Sequence, residues 1–151
     1  MTLRPTSLRA PQTVLRIAVA GVLLYYAWPK LADPFGFLKA IHVYGILGDA
    51  ALFGVRLENL AAVGIPWLEV LGALALVTGV LRRGASLWLV LFLLLFTGAV
   101  AWHAAGIQPE VPYLRRSFDC GCGTGVVVLW EKLVTNLALV VAVAWTGLRR
   151  S

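Results

Sequence analysis

Residues 57–105 read LENLAAVGIPWLEVLGALALVTGVLRRGASLWLVLFLLLFTGAVAWHAA. Two apolar runs flank the basic turn Arg82-Arg83-Gly84. The first carries only Glu58 and Glu69, and the second carries no Asp, Glu, Lys or Arg from Ala85 to Ala105. A soluble domain cannot cover apolar runs of this length, whereas a bilayer core about 30 Å thick matches about 20 helical residues. The stretch is therefore expected to be a helical hairpin crossing a membrane twice.

The rest of the chain follows the same pattern. On the N-terminal side a run from about Thr13 to Leu31 ends in Tyr25, Tyr26 and Trp28, the aromatic belt of a membrane interface. It shows no small-residue cleavage site, so it reads as a retained helix rather than a cleaved signal. Asp33-Pro34 then signals a helix start, with Asp as cap and Pro in the first turn. Phe35, Leu38, Ile41 and His42 recur at helical spacing, which predicts a short amphipathic helix over about 34–44, lying on the membrane surface. On the C-terminal side a loop over about 106–125 is broken by Pro109 and Pro112, and a last apolar run covers about 126–148. The expected fold is an all-α membrane protein: one domain over residues 1–151, four transmembrane helices (about 13–31, 57–81, 85–105 and 126–148) and an extracytoplasmic amphipathic helix between the first two. No internal repeat is visible. A hydrophobic content of 60% and a mean hydropathy of +0.86 agree with this class, since soluble domains run at about 45–50% apolar residues.

Four spans put both termini on one side, and the charges say which. The tail and first turn, the turn at 82–84 and the C-terminus hold Arg4, Arg9, Arg16, Arg82, Arg83, Arg149 and Arg150, and no acid. The other side balances Lys30, Lys39, Arg56, Arg115, Arg116 and Lys132 with Asp33, Asp49, Glu58, Glu110, Asp119 and Glu131. The positive-inside rule places both termini in the cytoplasm and the 106–125 loop outside the cytoplasmic membrane. The net charge of +6 thus reports topology and partnership with the bilayer, and no nucleic-acid partner is expected.

That outer loop ends in Asp119-Cys120-Gly121-Cys122-Gly123-Thr124, with the chain's only cysteines. Thiols this close can bridge each other, exchange with another disulfide, or bind a soft metal such as Cu(I), with His103 or His42 as a third ligand. A bridge across one residue closes almost no loop, so it adds little entropic stability. The ring is strained, and a strained disulfide oxidises other thiols readily. Thr124 is expected to cap the last helix and so bring the thiols near a helix N-terminus, which favours thiolate. Inside the membrane, Glu69 lies about 18 Å from Leu57 at 1.5 Å per residue, near the midplane, where an acid marks a functional site or a structural polar clamp. Asn136 is expected at similar depth and on the same interior, with Lys132 one turn above it and His103 near the outer end of the third helix as a proton relay. Lys30 reads as a snorkelling anchor.

With these pieces in order, the chain resembles the MauE/DoxX group of small four-helix membrane proteins. The likeness rests on Lys30, Asp33, Pro34 and Phe35 after the first helix, Pro66 and Glu69 in the second, Cys120-Gly121-Cys122 before the fourth and Asn136 within it. It spans nearly the whole chain, although many relatives continue the cysteine motif with Phe-Gly where this chain has Gly123 and Thr124. The resemblance implies a redox-associated inner-membrane protein. On this reading Cys120 and Cys122 exchange disulfides with an extracytoplasmic thioredoxin-like partner. Electrons pass to a membrane quinone or a second dithiol, and Glu69, Asn136, Lys132 and His103 line the quinone's cavity. A Cu(I)-binding protein and a non-catalytic assembly subunit of a membrane redox complex are the alternatives.

Overall fold

A computed structural model describes residues 9–120 and 125–148. In chain order it contains α1 (Arg9–Ala32), α2 (Pro34–Tyr44), a hairpin of β1 (Ala51–Leu52) and β2 (Val55–Arg56), α3 (Leu57–Thr78), α4 (Arg82–Gly106), a 3-10 turn (Tyr113–Arg115), a hairpin of β3 (Ser117–Asp119) and β4 (Val126–Val128), and α5 (Leu129–Leu148). Among the described residues, four helices are long and apolar enough to cross a membrane: Gln12–Ala32, Leu57–Thr78, Arg82–Gly106 and Leu129–Gly147. The tryptophans Trp28, Trp67, Trp88, Trp102, Trp130 and Trp145 all lie on exposed faces, as lipid-facing interfacial residues do.

Inside the bundle α1 packs mainly on α3 and α4 mainly on α5. The inner half of the core joins Val19, Leu23, Ala73, Leu76, Leu89 and Val143. Small residues permit close approach there. A Cβ on Gly72 would stand 2.8 Å from Leu89, and one on Gly147 would collide with the Ser86 hydroxyl, so α3 meets α4 and α4 meets α5 at near-backbone range.

Besides the start of α1, at Arg9 rather than about Thr13, three boundaries differ from those expected. α3 stops at Thr78, because Gly79 turns left-handed (φ 80°) and Arg16 of α1 reaches across to the carbonyls of Leu76 and Val77. The guanidinium satisfies carbonyls that a helix end leaves open. Arg82, Arg83 and Gly84 therefore form the first turn of α4, not the connection itself. The third difference concerns α5, which begins at Leu129. Three consecutive valines, stiff at χ1 and suited to a pleated strand, pair instead with Ser117–Asp119 in antiparallel register. The cysteine segment therefore leads into a strand and not into a helix N-terminus. Thr124, expected as the cap, lies outside the described residues.

α2 also does more than lie on a surface. Asp33 caps it, its carboxylate accepting from Gly36 N–H at 2.9 Å, and Pro34 occupies the first turn as the Asp-Pro signal predicts. Its Phe37 is buried and it packs on α3, with a smaller contact to α4. At its far end His42 Nδ1 meets the buried carboxylate of Glu58 at 3.1 Å. The short helix is thus strapped across the end of the bundle where the β3–β4 hairpin lies.

Candidate functional site

Two polar sites meet at that end. The inner one is an ion pair. Lys30 Nζ, in the last turn of α1, donates to both carboxylate oxygens of Glu69 on α3, at 2.6 and 2.8 Å, with side-chain exposures of 3% and 5%. Aromatic rings surround the cations. Lys30 Nζ stands 5.4 Å from the Phe37 ring centre and 5.5 Å from Phe96. Lys132, in the first turn of α5, stands 4.5 Å over Tyr26 and 5.8 Å from Phe96, near enough to act electrostatically on both Glu69 and Lys30. The site therefore gathers three charges from three helices around Phe96, with α2 as its roof.

This arrangement corrects one expectation. Lys30 is no snorkelling anchor. In a helix the Cα–Cβ bonds tilt toward the N-terminus, so a lysine in the last turn of α1 points back into the bundle, where Glu69 waits. Glu69 is the thirteenth of the 22 residues of α3, mid-way along its candidate span.

Asn136 faces the same interior and is 2% exposed, but its partner is Thr97, whose hydroxyl accepts from Asn136 Nδ2 at 3.1 Å. Thr97 in turn donates to Leu93 O at 2.6 Å. Among the described residues no buried side-chain nitrogen or oxygen lacks a partner. Asn136–Thr97 is thus a clamp between α4 and α5, separate from the ion pair.

The outer site is built around Cys120. This residue is disulfide-bonded, 1% exposed and packed with Val100, Ala104, Phe118 and Leu129. Its carbonyl accepts from the Tyr44 hydroxyl at 3.1 Å. The Tyr44 ring stacks on His103 at 4.7 Å, and His103 meets the Phe118 ring edge at 5.3 Å. Burial, and then the charge of Asp119, push the Tyr44 phenol above its ordinary pKa, so it remains a donor. Cys122 lies outside the described residues. A sulfur in a disulfide offers no thiolate to a soft cation, and His42, weighed as a third ligand, is turned to Glu58.

A cleft of about 680 Å³ is lined by Lys30 of the inner site, by His103, Phe118 and Asp119 beside Cys120, and by Phe37 of α2. Of the four residues expected around a quinone, only His103 lines this cleft. Glu69 is reached through Lys30, Lys132 sits behind Phe96, and Asn136 is spent on Thr97.

Residues 8–149 match the family described as methylamine utilisation protein MauE. The chain belongs to the MauE family. This MauE-family protein is therefore a multi-pass membrane protein, as its four apolar helices require. Comparison with curated proteins and with solved structures gave no match. The MauE match covers every element of the two sites, from Lys30 to Asn136. Sequence reasoning missed Lys30, Tyr44 and Thr97. For Lys30 a signal existed, because a buried acid needs a cation and Lys30 ends the neighbouring helix. For Tyr44 and Thr97 the residue type is silent until the partner is seen.

Proposed function

We propose that this MauE-family protein is a membrane thiol–disulfide oxidoreductase acting on a thioredoxin-like partner outside the cytoplasmic membrane. The observation that carries the reading is Cys120: disulfide-bonded, held by Tyr44, and next to Phe118 and Asp119, which line a cleft also lined by Lys30 of the buried ion pair. The charge asymmetry of the loops supports the outer location, where disulfides persist.

In the oxidising direction, a partner thiolate attacks the Cys120–Cys122 disulfide. A mixed disulfide forms and one sulfur of the pair leaves as thiolate. The partner's second thiolate then attacks the mixed disulfide and releases the other sulfur. The partner ends oxidised, and the pair holds two electrons and two protons. Re-oxidation passes them to a second cysteine pair in its disulfide form, which becomes the dithiol, or to a membrane quinone. A quinone, when bound, supplies a sink for two electrons and two protons. Lys30 and His103, both lining the cleft, would donate to the oxygens of a quinone bound there, and Glu69 fixes the Lys30 ammonium.

The test is trapping. Cys120→Ala and Cys122→Ala membranes are acid-quenched, alkylated and run without reductant. The expected result is a discrete, reductant-sensitive adduct from just one variant, whose partner mass spectrometry then identifies. Absence of any adduct, with both wild-type thiols open to alkylation, would overturn the reading.

A further inference from the structure

The β3 strand leads straight into Cys120, and its outer edge carries an unusual partner. Arg116 O accepts from Leu129 N–H at 2.9 Å across the hairpin. Peptide groups alternate in an antiparallel ladder, so those of Ser117 point to the other side, away from β4. There they meet the side-chain amide of Gln108. Ser117 N–H donates to Gln108 Oε1 and Ser117 C=O accepts from Gln108 Nε2, both at 3.2 Å. One amide thus presents the donor and the acceptor that a neighbouring strand would present. The chain accepts strain to place it, because Gln108 is left-handed (φ 48°) and immediately precedes Pro109, a position that prefers extended backbone. Strain retained beside a candidate site points to a role for the strained residue.

The cleft includes this edge: Gln108, Ser117 and Asp119 line it, as do Phe37, Ala40 and Val43 of α2. Its volume is within the range of ligand sites, about 300–1,000 Å³. A ligand that replaces the Gln108 amide must offer paired N–H and C=O groups in line with a strand, and a peptide backbone does so. Apolar side chains of an added strand would meet the α2 wall.

We propose that the β3 edge is the docking site for an extended peptide segment of the cysteine-bearing partner. The segment adds as a third strand in place of the Gln108 side chain and so sets its cysteine beside Cys120. This rests on the disulfide-exchange reading. Gln108 closes the edge when no partner is present, which also protects an exposed strand from adventitious pairing.

The experiment uses the full-length oxidised protein in lipid nanodiscs. The probe is a short reduced peptide with one central cysteine among alternating valine and threonine. Mixed-disulfide formation is timed for this peptide, for the same peptide N-methylated at alternate residues, and for dithiothreitol, which needs no strand. N-methylation is expected to slow the peptide roughly tenfold or more, the factor for losing one or two hydrogen bonds. Gln108→Ala is expected to raise the ratio of peptide to dithiothreitol rates, and Ser117→Pro, which removes the edge N–H, to lower it. Equal rates for the two peptides on the wild-type protein would overturn strand addition while leaving disulfide exchange standing. Failure of dithiothreitol and peptide alike to open the Cys120 disulfide would overturn both.

Discussion

At the residue scale the decisive feature is Lys30 with Glu69. Each is an expensive residue to bury alone, and together they share two short hydrogen bonds. Removing one partner leaves the other charge uncompensated, which costs about 3–5 kcal/mol, whereas replacing both with apolar residues of similar size is often neutral. Glu69→Gln and Lys30→Met are therefore each expected to destabilise the detergent-solubilised protein by about that amount. Lys30→Met with Glu69→Leu should recover most of it. Equilibrium unfolding of the three variants checks the claim, and additive losses in the double variant would contradict it. The acid was legible from its type alone, as a carboxyl in an apolar run. Its partner was signalled only by the need of a buried acid for a cation, because lysines at helix ends ordinarily reach for water, and the direction of the side chain on α1 is what sends Lys30 inward.

The element that matters most is α2. Its start was readable from Asp33-Pro34, since capping is local chemistry. What it does was not readable, because its partners come from α1, α3, α4 and the β3–β4 hairpin. Phe37 covers Lys30 and Tyr44 holds the Cys120 carbonyl, so one short helix touches both polar sites. Tyr44→Phe leaves that carbonyl without its donor, a cost of about 1–3 kcal/mol for a buried acceptor. The pH dependence follows from the raised phenol pKa. The unfolded chain releases this proton near its ordinary value of about 10, before the folded chain does. Stability from Tyr44 is thus fully present below about pH 10 and declines as pH rises beyond it. Unfolding midpoints measured across that range should fall for the wild type and fall less for Tyr44→Phe. Parallel profiles would remove Tyr44 from the account.

For the whole molecule, the arginines distributed over the two ends predict orientation. A fluorescent protein that matures only in the cytoplasm should glow when fused after Ser151, and a phosphatase that folds only outside should stay inactive there. Reversal of both signals would place the Cys120 loop in the cytoplasm and remove the compartment that the proposed chemistry needs.

The sequence by itself determined that this chain is a four-helix membrane protein with a short helix after the first span and a cysteine-bearing loop before the last. Apolar run length, caps and charge asymmetry depend on neighbours along the chain. Tertiary structure alone decided that Lys30 meets Glu69, that Asn136 meets Thr97, and that Val126–Val128 become a strand against Ser117–Asp119. Each of these joins residues from separate elements, from seven positions apart in the hairpin to 39 in the helix pairs. Such pairings are set by how the helices pack and by which way each side chain leaves its backbone, and no local pattern records either.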